Sequence, residues 1–208
     1  MYTALLIDGG HLRACFKKAR QPYTVDAISD FASRCFVENE TVYRIFYYDA
    51  PKYVGEKNTP ISGEPRTFRD DETLLTDIAK VKNFALRKGR LKFGGWRLKP
   101  NVIRQIGEGT FSGEFRDSHF QPNFSQKGVD MALGLDVAAI AETKKVDQFM
   151  LVTADTDMAP ALKHGRIRGM RAVVIKPNYE RCFNLHDSLY QHADIVREVN
   201  VRNNPPEE

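Results

Sequence analysis

Long apolar stretches that lead into aspartates are the feature that most constrains the fold of this chain. One stretch ends at Asp8, another leads into Asp155 and Asp157, and Asp130 opens a third. Continuous apolar runs are typical of buried parallel strands, whose carboxyl ends point into the ligand crevice of an open α/β fold. Acids from separate elements are therefore expected to converge on one point. Hard oxygen ligands of this kind suit Mg²⁺ or Mn²⁺.

Strand and helix patterns alternate along the chain. Strands are predicted at residues 2–8, 41–49, 147–153 and 170–175 and near Ile195, and helices at residues 11–19, 26–38, 70–88, 128–145 and 157–168. Gly89 is the predicted cap that ends the third helix. Residues 90–104 suggest one or two short strands. Segments 50–69 and 107–126 are predicted loops or insertions, the second a mobile loop.

This alternation implies right-handed crossovers and a three-layer α/β/α fold with a mostly parallel central sheet. We expect one domain over residues 1–200 and a flexible tail at 201–208. Among 208 residues, 42% are hydrophobic and 28% are charged, as in ordinary globular proteins. No apolar run approaches the roughly 18 residues that span a bilayer, so no membrane association is expected.

The redox state of the cysteines bears on the compartment. The three cysteines, Cys15, Cys35 and Cys182, are widely spaced and form no CxxC pair. They are expected to be reduced thiols, and the N-terminal stretch lacks the basic and apolar regions of a signal peptide. We therefore expect a cytoplasmic protein.

A basic stretch covers residues 78–104, with nine Lys or Arg residues, no acid, and interleaved aromatic residues. Such a stripe suits a phosphate backbone with bases to stack on. The alternative is a solvated helix face followed by an amphipathic strand whose aromatic residues belong to the core. The favoured reading predicts nucleic-acid contacts from Arg87, Lys88, Arg90, Lys92, Trp96 and Arg97, together with Lys127.

Each acid also has a purely structural explanation. Asp8, Asp155 or Asp157 could cap the helix that follows it, and Asp130 could complement the dipole of a first helical turn. Carboxylates two residues apart at one strand end repel each other unless a cation or a helix N-terminus compensates them, which favours a metal. Asp136 lies about 240° around the helix from Asp130 and ranks below these four.

Three ordered motifs carry a resemblance to a known family. ALLIDGGHL, QKGVDMALGLD and FMLVTADTDMAPAL are similar to the signature of the NYN domain, in the LabA/DUF88 branch of the PIN-like nuclease superfamily. The later stretch HDSLYQHADIV also resembles the family's C-terminal part. The resemblance implies a PIN-type parallel sheet and RNA as substrate. It also implies that Mg²⁺ or Mn²⁺ is held by the first-motif acid Asp8, the middle-motif acid Asp130 and the third-motif acids Asp155 and Asp157.

The first motif departs from the family pattern at one position. Many members carry Asn where this chain has His11. His11 could keep the polar role of that Asn at the edge of the metal site, or it could be an ordinary helix-start residue facing solvent. Thr153 matches a position usually occupied by Ser or Thr. Its hydroxyl could bond a neighbouring carboxylate or satisfy the strand end.

The function expected from these residues is a metal-dependent ribonuclease. Single-stranded RNA is the favoured partner, DNA is an alternative substrate, and a homo-oligomer is compatible with the sequence. A non-catalytic nucleic-acid-binding or regulatory module is the main alternative. A haloacid-dehalogenase phosphatase is disfavoured because its acid pair lies near the N-terminus, and a dinucleotide-binding fold is disfavoured because the GxGxxG spacing is missing.

Overall fold

The structure is a computed structural model that describes residues 1–70, 73–180, 182 and 184–202. Of the tail predicted at residues 201–208, residues 203–208 lie outside the described residues. The chain forms two compact units. The larger unit comprises Met1–Asp49, Thr73–Lys88 and the chain from Gly128 onward, and the smaller comprises Ala50–Glu72 and Gly89–Lys127. The expectation of one domain over residues 1–200 stays a prediction.

The described residues form ten strands, seven α-helices and two short 3₁₀ turns. The strands are β1 (Tyr2–Asp8), β2 (Thr41–Asp49), β3 (Gly55–Asn58), β4 (Pro65–Phe68), β5 (Phe84–Lys88), β6 (Arg90–Leu98), β7 (Phe120–Lys127), β8 (Gln148–Val152), β9 (Arg171–Asn178) and β10 (Ile195–Asn200). The helices are α1 (Gly9–Lys18), α2 (Val25–Arg34), α3 (Thr73–Ile78), α4 (Pro100–Gly107), α5 (Val129–Thr143), α6 (Ala159–Ile167) and α7 (Asp187–His192). Short 3₁₀ turns occupy Asp117–His119 and Thr156–Met158.

The larger unit is built on a six-stranded sheet in the order β10-β9-β8-β1-β2-β5. All five pairings are parallel. The chain moves from β1 to β2 and β5 on one side, and β8, β9 and β10 then extend the other side. The sheet therefore changes direction between β1 and β8, which is where open α/β folds bind their ligands.

Both faces of the sheet are covered by helices, because alternate residues of each strand point to opposite faces. On β1, Leu5 and Ile7 pack in the core that includes side chains of α1, α2 and α3. Ala4 and Leu6 pack in the core that includes side chains of α5, α6 and α7. This arrangement confirms the predicted three-layer α/β/α fold. No helix of the described residues is long and apolar enough to cross a membrane.

The smaller unit contains two antiparallel pairs, β3 with β4 and β6 with β7. Its core is a cluster of aromatic rings with centroids 5.5–6.2 Å apart. The cluster consists of Tyr53, Phe68, Phe93, Trp96 and Phe124. The indole of Trp96 also donates a hydrogen bond to the carbonyl oxygen of Asn58 over 2.7 Å. Phe93 and Trp96 are half-buried and pack in this cluster, as the alternative expects of them, and the nucleic-acid contact of Trp96 stays a prediction.

The predicted helix over residues 70–88 is wrong in its second half, and so is the cap at Gly89. Helix α3 ends at Ile78, and Phe84–Lys88 forms the edge strand of the central sheet. Asn83, with φ of 68°, breaks the helical path just before that strand. The helical spacing of apolar residues continues in the sequence across this break, which explains the wrong prediction. Exposed cations such as Lys88 are typical of an edge strand.

Three other segments hold regular structure that was predicted only in part. Segment 50–69, predicted as a loop or insertion, contains the β3–β4 hairpin, and segment 107–126, predicted as a mobile loop, ends in most of β7. Residues 90–104, predicted as one or two short strands, contain one strand followed by helix α4, which begins at Pro100 and was not predicted. Proline is favoured in the first turn of a helix, which accounts for this start. Helix α7 was missing from the predicted elements.

Candidate acid cluster at the carboxyl edge of the sheet

Two of the predicted acids are positioned by neighbouring strands at the point where the sheet changes direction. Asp8 is the last residue of β1, and Asp155 follows the end of β8 by three residues. The two strands pair directly, with Ile7 opposite Val152. Their carboxyl ends therefore present Asp8 and Asp155 at the same edge of the sheet.

Asp8 caps α1 and faces the other acids. Its Oδ1 atom accepts a hydrogen bond from the backbone N–H of His11 over 3.1 Å. Burial raises the pKa of the Asp8 carboxyl, and repulsion by Asp130 and Asp49 raises it further, against the hydrogen bonds from the backbone of His11 and Gly10. Capping and a place in the acid cluster are thus compatible, since the cap uses one of the two carboxylate oxygens.

The third motif forms a tight turn after β8. The Oδ1 atom of Asp155 accepts a hydrogen bond from the backbone N–H of Asp157 over 2.9 Å, so Asp155 caps the 3₁₀ turn. Thr153 is buried, and its hydroxyl accepts a hydrogen bond from the backbone N–H of Asp155 over 3.1 Å. Thr153 therefore satisfies the strand end, the second of its two predicted roles. Asp157 is exposed.

Asp130 joins the cluster from the first turn of α5. Desolvation raises the pKa of Asp130, and repulsion by Asp155 and Asp157 raises it further. Asp130 and Asp157 also line the same cleft. The four acids therefore come from the end of β1, the start of α5 and the turn after β8, and Asp130 interacts electrostatically with each of the other three.

A second strand-end acid, Asp49, was missed at the sequence level. Asp49 ends β2, is buried, forms an ion pair with Arg13, and accepts a hydrogen bond from the Tyr47 hydroxyl over 3.2 Å. The Tyr47 hydroxyl lies 2.7 Å from that of Tyr23, which donates to the carbonyl oxygen of Gly9 over 3.1 Å. This network holds the turn after Asp8. The pattern that identified Asp8, an aspartate that ends a buried strand, would have found Asp49.

Gly9 allows the chain to turn tightly after Asp8. A Cβ atom at this position would lie 2.7 Å from the Tyr47 hydroxyl oxygen and 2.8 Å from the carbonyl oxygen of Tyr48. Real Cβ atoms do not approach other atoms so closely, and no larger residue fits without displacing β2 or α1. Glycine is required here by the close approach of the backbone to β2.

His11 and Asp136, the secondary candidates, have partners of their own. The Nε2 atom of His11 lies 3.6 Å from the sulfur of Cys15, and the residue is half-buried rather than turned to solvent. Burial, assisted by the charge of Lys18, lowers the pKa of His11 to about 4. The carboxylate of Asp136 accepts hydrogen bonds from the Tyr48 hydroxyl over 2.8 Å and from Nε of Arg87 over 2.7 Å. Asp136 therefore ties α5 to β2 and β5.

The predicted nucleic-acid contacts are divided between the two units. Arg87 and Lys88 lie on β5 of the larger unit, and Arg87 is engaged by Asp136. The other five lie on the β6–β7 ribbon of the smaller unit: Arg90, Lys92, Trp96, Arg97 and Lys127. The four cations of the ribbon are exposed, whereas Trp96 packs in the aromatic cluster.

The donor types of the acid cluster fit a divalent cation. Four carboxylates offer the hard oxygen ligands that Mg²⁺ and Mn²⁺ prefer. Burial is the main cause that raises the pKa of Asp8 and Asp130, and repulsion by neighbouring carboxylates raises it further. A cation would compensate this negative charge. Within the part of the chain that the structure describes, no three His, Cys, Asp or Glu side chains stand in a ready-made metal-binding group.

A parallel α/β/α sheet with acids gathered at its change of direction is the arrangement expected of a PIN-like nuclease. Residues 2–184 match the NYN domain, which covers most of the chain. The protein therefore belongs to the NYN domain family, within the PIN-like nuclease superfamily. This confirms the family suggested by the three motifs.

One solved structure supports the same fold. A crystal structure of a protein of unknown function from Vibrio parahaemolyticus is similar over 95% of this chain and 91% of that chain, with a TM-score of 0.54 and 18% sequence identity. At this identity the likeness concerns the fold alone. No curated protein matches the chain.

Proposed function

We propose that this protein is a metal-dependent ribonuclease that hydrolyses phosphodiester bonds with its aspartate cluster. The observation that carries the proposal is the position of Asp8 at the end of β1 and of Asp155 just after the end of the adjacent parallel strand β8, where the sheet changes direction. Repulsion between Asp8 and Asp130, and of Asp130 by Asp155 and Asp157, supports a cluster built for a cation. Membership of a nuclease superfamily agrees with this chemistry.

The chain's own carboxylates would hold Mg²⁺ or Mn²⁺. Asp8, Asp130 and Asp155 are the proposed direct ligands of one or two cations, and Asp157 binds directly or through water. When bound, the metal would supply charge stabilisation at the scissile phosphate and lower the pKa of the attacking water. In-line attack of that water leaves a 5′-phosphate and a 3′-hydroxyl.

The surrounding residues keep the cluster in position. The ion pair between Arg13 and Asp49, with the tyrosine hydroxyls beside it, fixes the backbone at Gly9 and with it the direction of Asp8. His11 is neutral at pH 7, because its pKa is lowered to about 4. It therefore adds no positive charge beside Asp8 that would compete with a cation.

RNA is the proposed substrate, and the β6–β7 ribbon is a proposed contact for its backbone. Arg90 lies directly opposite Lys127 across this ribbon. Like charges in such a pair destabilise a ribbon unless an anion lies near them. Phosphate groups are anions of this kind, and binding would then weaken with salt. Single strands are favoured over duplexes, and DNA is an alternative substrate.

The test is cleavage of end-labelled single-stranded RNA in Mg²⁺ or Mn²⁺. The native chain is compared with Asp8→Asn and Asp155→Asn, which keep the size of the side chain and remove its charge. Asp77→Asn is the matched control, since Asp77 is an exposed aspartate paired only with Lys80 among the contacts described here. We expect the native chain and the control to cut and both cluster variants to lose cleavage, with 5′-phosphate ends on the products.

Two results would reject the proposal in different ways. Cleavage that survives in both cluster variants would locate the activity elsewhere. Intact RNA with either metal, together with salt-sensitive RNA binding, would make the protein a binding or regulatory module on a nuclease fold. The LabA/DUF88 branch, the cytoplasmic location and homo-oligomerisation stay predictions.

A further inference from the structure

A cleft between α5 and α6 adjoins the acid cluster. It has a volume of about 400 Å³ and is lined by two of the cluster acids, Asp130 and Asp157. The rest of the lining includes Met131, Gly134 and Leu135 of α5. Mostly apolar clefts of about 300–1,000 Å³ with a few polar groups are typical of small-ligand sites. The cleft thus extends the cluster toward an apolar surface.

Gly134 lines the cleft, and the packing of its neighbours does not explain why this residue is a glycine. It lies in the interior of α5, where glycine destabilises a helix relative to alanine. A Cβ atom added at Gly134 would meet no atom within 4 Å, so neighbouring side chains do not require glycine there. The missing side chain instead leaves the cleft open.

The rim of the cleft is also unusually apolar for an exposed helix face. Met131 is 69% exposed and Leu135 is 61% exposed, and both line the cleft. They stand four residues apart and therefore lie on the same side of α5. These two large exposed apolar side chains, next to the open space at Gly134, form a surface on which a flat apolar group can pack.

The charge of the lining residues limits which chemical groups the cleft can bind. Among the described lining residues there is no Lys or Arg, and Asp130 and Asp157 repel a phosphate from the cleft. An uncharged or cationic group is compatible with this lining. A nucleobase combines an apolar face with polar edge atoms, and it is attached to the phosphate that the cluster would bind.

We infer that this cleft holds the nucleobase next to the scissile phosphate, a subsite that gives the enzyme its base preference. The inference rests on the proposed nuclease function, since it places the scissile phosphate at the acid cluster. Met131 and Leu135 cover the face of the base, and Gly134 provides the space.

The test uses binding rather than cleavage. The affinity of a labelled single-stranded RNA decamer is measured in Ca²⁺, a divalent cation that also prefers oxygen ligands, for the native chain and for Gly134→Ala, and again for decamers that lack one base at successive positions. Gly107→Ala is the matched control, because Gly107 is also helical and its added Cβ would also meet no atom within 4 Å. Gly107 does not line the cleft. Thermal melting shows whether each variant is folded.

We expect Gly134→Ala to melt no lower than the native chain and to bind the complete decamer about tenfold more weakly, as one methyl group in an apolar pocket commonly does. Removal of one particular base should weaken binding to the native chain and to Gly107→Ala, but not further to Gly134→Ala. Unchanged affinity in Gly134→Ala, with the base-removal effect retained, would overturn the subsite.

Other outcomes separate this inference from the proposed function. RNA cleavage without any effect of Gly134→Ala on binding would keep the nuclease and reject the subsite. Base-dependent binding that Gly134→Ala abolishes, without cleavage, would keep the subsite and reject the nuclease. No RNA binding by the native chain would reject both. Self-association that Gly134→Ala disrupts, without a base-removal effect, would show that a second copy covers the cleft and would also overturn the inference.

Discussion

Glu40, the residue before β2, links this strand to β8 and β10 near the amino ends of the central sheet. Its substitution tests how much this link contributes to the stability of the fold. Its carboxylate accepts two hydrogen bonds from Arg197 of β10, over 2.8 and 3.0 Å. It also accepts one from the Gln148 side chain of β8 over 2.7 Å and one from the backbone N–H of Val37 over 3.0 Å. The Glu40 side chain is 3% exposed and that of Arg197 is 17% exposed.

The free energy of this link follows from the pKa of Glu40. Burial alone would raise that pKa, but the hydrogen bonds from Arg197, Gln148 and Val37 outweigh it and lower the pKa from 4.5 to about 2. At roughly 1.4 kcal/mol per pKa unit, this lowering corresponds to about 3 kcal/mol of unfolding free energy. Screening by nearby solvent reduces the contribution, and we expect about 2 kcal/mol.

Glu40→Gln is the variant to measure, by urea unfolding at pH 7 and at pH 3. Glutamine removes the charge and turns one acceptor into a donor that faces other donors. We expect a loss of about 2 kcal/mol at pH 7, or a melting temperature lower by about 4–8 °C. A carboxyl with a lowered pKa stabilises the fold above its unfolded pKa of 4.5, and this stabilisation fades as the pH falls toward 2. The difference between native and variant should therefore shrink at pH 3.

The control for this experiment is Asp77→Asn, which breaks an exposed pair with Lys80. The two side chains are 52% and 70% exposed, so the change should stay within about 0.5 kcal/mol. Equal urea midpoints for native and Glu40→Gln at pH 7, or a difference that grows at pH 3, would refute the reasoning. RNA cleavage at low temperature should survive in Glu40→Gln, since Glu40 lies at the opposite edge of the sheet from the acid cluster.

Further predictions concern the site and its supports. Gly9→Ala should lower stability by about 1–3 kcal/mol in urea unfolding and strongly reduce RNA cleavage, because its Cβ displaces the turn after Asp8; native cleavage would contradict the steric account. Asp136→Ala should destabilise by about 1–3 kcal/mol, since Arg87 and the Tyr48 hydroxyl lose their acceptor, and an unchanged urea midpoint would argue against this link. Lys92→Ala should reduce the slope of log affinity against log salt by about 1 in RNA titrations, and an unaltered slope would remove Lys92 from the contact surface.

The central strands were predictable because burial on both faces leaves a strong signal. Strands β1 and β2 were predicted with the bounds that the structure has, since both read as continuous apolar or aromatic runs. Edge strand β5 was not, because half-exposed strands carry Arg and Lys and mimic a helical spacing. Strand β7 was not predicted, because it pairs with a strand about 30 residues away and packs on an aromatic cluster that only tertiary contacts create.

The candidate site divides in the same way. Asp8 and Asp155 could be predicted because each lies at or just after the end of an apolar run that is recognisable in the sequence as a buried strand. The contact between Asp136 and Arg87 could not be predicted, because Arg87 lies on β5 and the sequence pattern predicts a helix there. The orientation of His11 toward Cys15 also depends on packing that no local pattern encodes.

The parallel sheet also imposes an order of assembly on the site. Asp8 is translated long before β8, the strand that presents Asp155 beside it, because the two strands are far apart along the chain. At typical rates of about 5–20 residues per second, β1 waits several seconds or longer for this neighbour. A nascent or truncated chain therefore carries part of the acid cluster without its partner strand. If the protein is the ribonuclease proposed here, it is inactive toward the messenger from which it is being made until the second half of its sheet has folded.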